Sequence, residues 1–154
     1  SIVSITRFHN EPGNLLRQAL RNLIGMKIGI VCYPTYGGSG VLATELGIAL
    51  ARNGHEIHFI TYKRPARLTH FHENVYFHEV DTEQYPLFEY TPYDTALTSK
   101  LVDVVQHEGL DLLHVHYAIP HAAVAYMAKK ILLTQTIATR TRPHWRVERE
   151  QTRL

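Results

Sequence analysis

At 154 residues the chain has room for one domain with a sizeable core, and not for two. It is 45% hydrophobic and 19% charged with a formal net charge of +2, which marks a soluble globular protein and excludes the strongly basic surface that a nucleic-acid partner demands. Cys32 is the only cysteine, so no intrachain disulfide forms, and its apolar neighbours predict a buried thiol in a reducing compartment. No run reaches the roughly 18 apolar residues of a membrane span, and the first residues lack the apolar core of a signal peptide, so the expected location is the cytoplasm, with no membrane partner. The pI of about 8.7 leans on Arg140, Arg142, Arg146, Arg149 and Arg153, without which the balance turns slightly acidic.

Residues 1–25 show no strand and read as an extension outside the core, with a short helix around Asn14–Leu23 where leucines recur at three- and four-residue spacing. Met26 opens directly into an apolar run, and from there strands alternate with amphipathic helices, the pattern of a parallel sheet covered on both faces. The predicted strands are Lys27–Cys32, Glu56–Thr61, Val75–Val80 and Asp111–His116. The predicted helices are Gly40–Asn53, stopped by Asn53-Gly54, then Tyr93–His107, then Pro120–Ile131 with proline early where its missing N–H costs little. The fold class is therefore α/β, a Rossmann-like three-layer αβα domain over 26–131. After Ile131 the pattern fails: 132–154 is an arginine-rich tail, read either as a solvated, partly helical arm or as the point where the domain is cut off or out of frame. A four-stranded sheet ending there leaves an edge uncovered.

The most informative stretch is Tyr33-Pro-Thr-Tyr-Gly-Gly-Ser-Gly-Val-Leu-Ala-Thr-Glu45, a glycine-rich turn between the first strand and first helix. Such a turn sets main-chain N–H groups at a helix N-terminus, where a phosphate or carboxylate binds. Gly37, Gly38, Ser39 and Gly40 are thus the expected anion cradle, with the Ser39 hydroxyl a further donor. Glu45 reads as a surface carboxylate near the positive end of the helix dipole. Gly38–Ala43 also fits G-x-G-x-x-G/A, but the loop from Cys32 is long for a dinucleotide turn, and Ile60-Thr61-Tyr62 stands where a ribose-binding acid belongs.

His114-Val-His-Tyr-Ala-Ile-Pro-His121 follows the fourth strand. His114 and His116 share a strand face, yet no third ligand stands at a matching spacing, so a metal is not expected. At the C-terminal end of a parallel strand, His116 and Tyr117 line the same cleft as the glycine turn. Tyr85, Phe88, Tyr90 and Tyr93 read mainly as residues pinning a long loop to the sheet, and His70, His72 and His78 as loop and strand-surface residues without partners.

Together, Met26-Lys-Ile-Gly-Ile30, Cys32-Tyr-Pro34, Gly37-Gly-Ser-Gly-Val41, Ala43-Thr-Glu-Leu-Gly47, Gly54-His-Glu-Ile-His-Phe-Ile-Thr61, Tyr76-Phe-His-Glu-Val80 and His114–His121 resemble the N-terminal domain of family-4 retaining glycosyltransferases of the GT-B fold, in particular the bacillithiol-pathway members. The resemblance implies transfer of N-acetylglucosamine from UDP-N-acetylglucosamine to L-malate, without metal or cofactor, by an enzyme that is a homodimer when complete. It implies donor-diphosphate contacts at Gly37, Gly38, Ser39 and Gly40, and acceptor contacts at Ser39, Tyr117 and His116. The family's His-Gly-Thr-Asp segment and second domain have no counterpart in this sequence, so no catalytic residue is assigned and the chain alone is expected to be inactive. Two other readings stay open: a nucleotide-cofactor Rossmann domain, and a stand-alone binding module whose arginine tail recruits an acidic partner.

Overall fold

The computed structural model describes residues 3–7, 25–81 and 92–140, with side chains over 25–81 and 92–134. Five strands, β1 (Val3–Arg7), β2 (Lys27–Val31), β3 (Glu56–Thr61), β4 (Val75–Glu79) and β5 (Leu112–His116), form one sheet in the order β1-β5-β2-β3-β4. β5, β2, β3 and β4 run parallel and β1 runs antiparallel to β5. The helices are α1 (Ser39–Arg52), α2 (Tyr93–Glu108) and α3 (Ala123–Arg140), the last preceded by a π-type segment, Ala118–Ala122.

The near-continuous apolar strands are explained by burial on both faces. On one face Val31, Ile60, Leu113 and Val115 pack against Leu97, Leu101, Val104 and Val105 of α2 and Val124, Ala125 and Ala128 of α3. On the other, Ile28, Ile30, Cys32, Ile57 and Phe59 meet Ala43 and Ala51 of α1 and the loop residue Leu68. Burying a large aliphatic or aromatic side chain contributes roughly 1.5–3 kcal/mol, so both layers are needed to hold the sheet. As expected, Cys32 is fully buried, and burial pushes its thiol up to about 12.

Two expectations need correction. Residues 1–25 do contain a strand: β1 pairs with β5 from Val3 opposite His116 to Arg7 opposite Leu112. Val3, Ile5 and Thr6 are β-branched, and the unpaired edge of β5 offers the backbone partners that a four-stranded sheet leaves open. As expected, helical backbone opens at Pro120: the one non-helical residue of the π-type segment is Ile119 (φ −126°, ψ 128°), which kinks the chain before the cis Ile119–Pro120 peptide. The third helix does not end at Ile131, however, but continues to Arg140, so the first part of the arginine-rich tail is helix. The helix read at Asn14–Leu23, the aromatic residues Tyr85, Phe88 and Tyr90, and residues 141–154 lie outside the described residues.

The topology positions the site. The chain leaves β2 through α1 to β3 on one side, whereas β5 joins β2 on the other side after the α2 crossover. The connections after β2 and β5 therefore diverge, and in an open α/β sheet a ligand crevice forms at that switch point.

Candidate active site

Gly37–Gly40 follow β2 and Tyr117 follows β5, so both constellations open onto the switch-point crevice. Gly38 is the N-cap of α1 with φ 61° and ψ −130°, a backbone conformation open essentially to glycine alone. No side chain caps this end and no acidic residue stands in the first turn. The first N–H groups of a helix have no intrahelical acceptor, so they face the crevice as donors, reinforced by the helix dipole. Within the turn, Gly40 is the glycine that packing demands: a Cβ there would lie 2.5 Å from the Tyr33 carbonyl oxygen and 2.7 Å from Thr35 Oγ1. Thr35 in turn donates to the Gly37 carbonyl at 2.9 Å, which curls the loop over the helix start. Glu45 is exposed and pairs with Arg67 at 3.2 Å, the surface role its position suggested.

Across the crevice, Ser39 Oγ donates to Tyr117 Oη at 2.8 Å. Ser39 is buried and Tyr117 half-buried, so the Tyr117 hydroxyl hydrogen remains available to a ligand on the open side. Tyr117 has φ 84° and ψ 135°, a conformation that costs a bulky residue on the order of 1–3 kcal/mol and that turns the chain sharply at the end of β5. Aromatic contacts hold it there: Tyr33 meets Tyr117 edge-on at 5.3 Å and His121 at 4.5 Å. Burial, then the neighbouring Tyr62, Asp94 and Tyr117, hold the Tyr33 phenol above its ordinary range.

His121 has a supporting role that the sequence reading missed, although the residue closes the motif that drew attention to this stretch. Its ring is fully buried, and Nδ1 donates to the His116 carbonyl at 2.7 Å. That fixes Nε2 as the acceptor, 3.4 Å from Tyr93 Oη. Burial lowers the His121 pKa and raises that of Tyr93, so both stay neutral. Tyr93 therefore anchors the start of α2 to this cluster, and Tyr62, at the position where a ribose-binding acid was sought, packs edge-on against it at 5.8 Å.

His116 is placed differently from Ser39 and Tyr117. Its side chain is 1% exposed beneath the crevice, its ring lies 4.9 Å from that of His114, and burial first, then His114 and His121, lower its pKa to about 4. Neither ring nitrogen has a hydrogen-bond partner among the described residues. Its link to the Tyr117 turn is its carbonyl oxygen, which accepts from His121. His114 and His116 gather no third metal ligand among the described residues. A separate hollow of about 310 Å³, lined by Ile48, Arg52, His72 and Glu73 among others, lies at the far end of α1 and adds nothing to this chemistry.

The family model of Glycosyltransferase Family 4 matches residues 36–153, taking in the glycine turn, both crevice walls and the arginine-rich segment. The chain is 61% identical over 107 residues to N-acetyl-alpha-D-glucosaminyl L-malate synthase of Bacillus anthracis. That alignment covers 70% of this chain and 28% of the relative, so the chain spans well under half of the length of the protein it matches. A parallel sheet layered with helices and a crevice at the β2/β5 switch point agree with the N-terminal domain of the GT-B fold, and the chain belongs to glycosyltransferase family 4.

Proposed function

We propose that these residues form the acceptor-side wall of a retaining glycosyltransferase of bacillithiol biosynthesis that transfers N-acetylglucosamine from UDP-N-acetylglucosamine to L-malate. The observation that carries this reading is the Ser39–Tyr117 hydroxyl pair at 2.8 Å beside the uncapped N-terminus of α1. Malate brings two carboxylates, and a helix N-terminus flanked by two hydroxyl groups suits one of them. The donor diphosphate is also an anion, and Gly37, Gly38, Ser39 and Gly40 let it approach the main chain closely. The name of the Bacillus anthracis relative, which joins an N-acetyl-alpha-D-glucosaminyl group to L-malate, supports the same pair of substrates.

In this reading the malate hydroxyl attacks the anomeric carbon on the face from which UDP departs. The bond to the diphosphate oxygen breaks as the new glycosidic bond forms, and the hydroxyl proton passes to the departing diphosphate. Retention of the α configuration follows from attack on that face. The charge that builds on UDP needs donors aimed at it, and α1 supplies part of them. The remainder belongs to the second domain of the complete enzyme, so residues 1–154 alone bind but do not turn over. We further propose that the complete enzyme works in the cytoplasm, with no nucleic-acid or membrane partner, as a homodimer. No helix among the described residues is long and apolar enough to cross a membrane.

Calorimetric titration with L-malate tests the acceptor assignment. Saturable binding that succinate, lacking the hydroxyl, reproduces only weakly supports it. Equal affinity for both, or none for either, counts against it.

A further inference from the structure

A second cluster of titratable groups lies toward the N-terminal ends of β2 and β3, away from the crevice. His58 of β3 and His78 of β4 face α2, with His58 1% exposed and His78 half-buried. Contrary to the expectation that His78 lacks a partner, its Nε2 lies 2.8 Å from His58 Nδ1 with the rings stacked at 5.1 Å. His58 Nε2 lies 2.9 Å from Glu56 Oε1, and Lys27 Nζ holds the same oxygen at 2.9 Å. Paired with the Lys27 ammonium, the Glu56 oxygen acts as the acceptor for His58. His58 must then carry its proton on Nε2, leaving the Nδ1 lone pair directed at His78.

Glu108, at the C-terminal end of α2, completes the group: one ligand atom each from His58, His78 and Glu108 lie within 4.8 Å of one another. Two imidazoles and one carboxylate, one imidazole braced by an outer carboxylate, form the donor set of a divalent transition-metal site with an open position.

We propose that His58, His78 and Glu108 bind one divalent ion of the zinc and cobalt class, with Glu56 as the positioning residue that orients His58. Metal–ligand bonds of about 2.0–2.2 Å place ligand atoms a little over 3 Å apart. The two ring nitrogens therefore open slightly and the half-buried Glu108 carboxylate swings inward. Binding consumes no net proton: His78 moves its N–H from Nε2 to Nδ1, and the metal takes the place of the hydrogen bond between the rings. A solvent molecule fills the fourth position from the open side of His78 and Glu108. The ion ties the β3–β4 pair to the end of α2 and takes no part in the transfer reaction.

The probe is Co²⁺ titrated into the 154-residue chain, read by visible absorption, because a four-coordinate cobalt site absorbs far more strongly than the hydrated ion. The proposal expects one equivalent to generate that absorption and Zn²⁺ to displace it. His78→Gln and Glu108→Gln remove it, Glu56→Gln weakens binding roughly 10–100-fold, and His70→Gln in an exposed loop leaves it intact. All three ligand-side variants change groups that are partly exposed, and circular dichroism checks that each remains folded. A folded wild-type chain that shows only the hydrated-ion spectrum at excess Co²⁺ overturns the proposal. So does absorption that survives in His78→Gln and Glu108→Gln.

Discussion

Tyr93, the first residue of α2, donates from Oη toward Nε2 of His121, 3.4 Å away, while the opposite nitrogen of the same ring donates to the His116 carbonyl at 2.7 Å. One buried imidazole thus links the start of α2 to the end of β5 and fixes the turn that presents Tyr117. Removing the weaker link is cheap: Tyr93→Phe keeps the ring packing and costs about 0.5–1.5 kcal/mol of stability. His121→Ala leaves a cavity and an unpaired carbonyl, costs about 2–4 kcal/mol, and loosens Tyr117. Urea denaturation of both variants ranks the two losses, and malate titration shows the second variant alone losing affinity.

The hydroxyl pair acts as a unit. Ser39→Ala and Tyr117→Phe each remove one end of a single hydrogen bond and one potential donor to the acceptor, so each lowers malate affinity by roughly tenfold. Their effects are not additive, and a double-mutant cycle returns a coupling energy of about 1 kcal/mol. Strict additivity means that the two hydroxyls act on the ligand separately.

The glycine turn separates fold from ligand contact. Gly40→Ala drives a methyl into the Tyr33 carbonyl at 2.5 Å and the Thr35 nitrogen at 2.9 Å, both main-chain atoms that cannot swing aside. It destabilises by about 1–3 kcal/mol and displaces the loop. At Gly37 a Cβ meets nothing within 4 Å, so Gly37→Ala leaves stability nearly unchanged. If the donor diphosphate passes over this turn, Gly37→Ala still weakens binding of UDP-N-acetylglucosamine, measured by competition titration in the complete enzyme.

Burial lowers the pKa of His114, His116 and His121 below the ordinary histidine value of 6.5, with His116 at about 4. As pH falls below about 6.5 the unfolded chain takes up protons that the folded chain refuses, so stability is fully present above that pH and is lost on descending toward pH 4. His116 alone accounts for on the order of 2–3 kcal/mol of that loss. Thermal unfolding followed from pH 7 to pH 4 shows a falling midpoint, and His116→Phe flattens the slope.

Much of the architecture was legible because buried parallel strands write themselves as unbroken apolar runs. Glu56–Thr61 matches its predicted bounds, and Ser39–Arg52 and Tyr93–Glu108 differ from theirs by one residue at an end or two. β1 escaped because a five-residue edge strand has meaning only once β5 is seen to lack a neighbour. The extension of α3 to Arg140 escaped because Thr134, Gln135, Thr136 and Thr139 interrupt its apolar residues, and helix was expected to stop where the pattern breaks. At the site, Ser39 and Tyr117 were legible as members of one cleft, since each follows a parallel strand. The role of His121 and the His58–His78 pair depend on ring orientation and on register between β3 and β4, which spacing along the chain does not contain.

The most direct measurement is the chemical-shift map of the isotope-labelled chain titrated with L-malate. The account predicts saturable shifts concentrated at the amides of Ser39, Gly40, Val41 and Tyr117, which in the Ser39→Ala and Tyr117→Phe double variant need roughly twentyfold more malate to saturate. Shifts that avoid the switch-point crevice, or that persist unchanged in the double variant, contradict it.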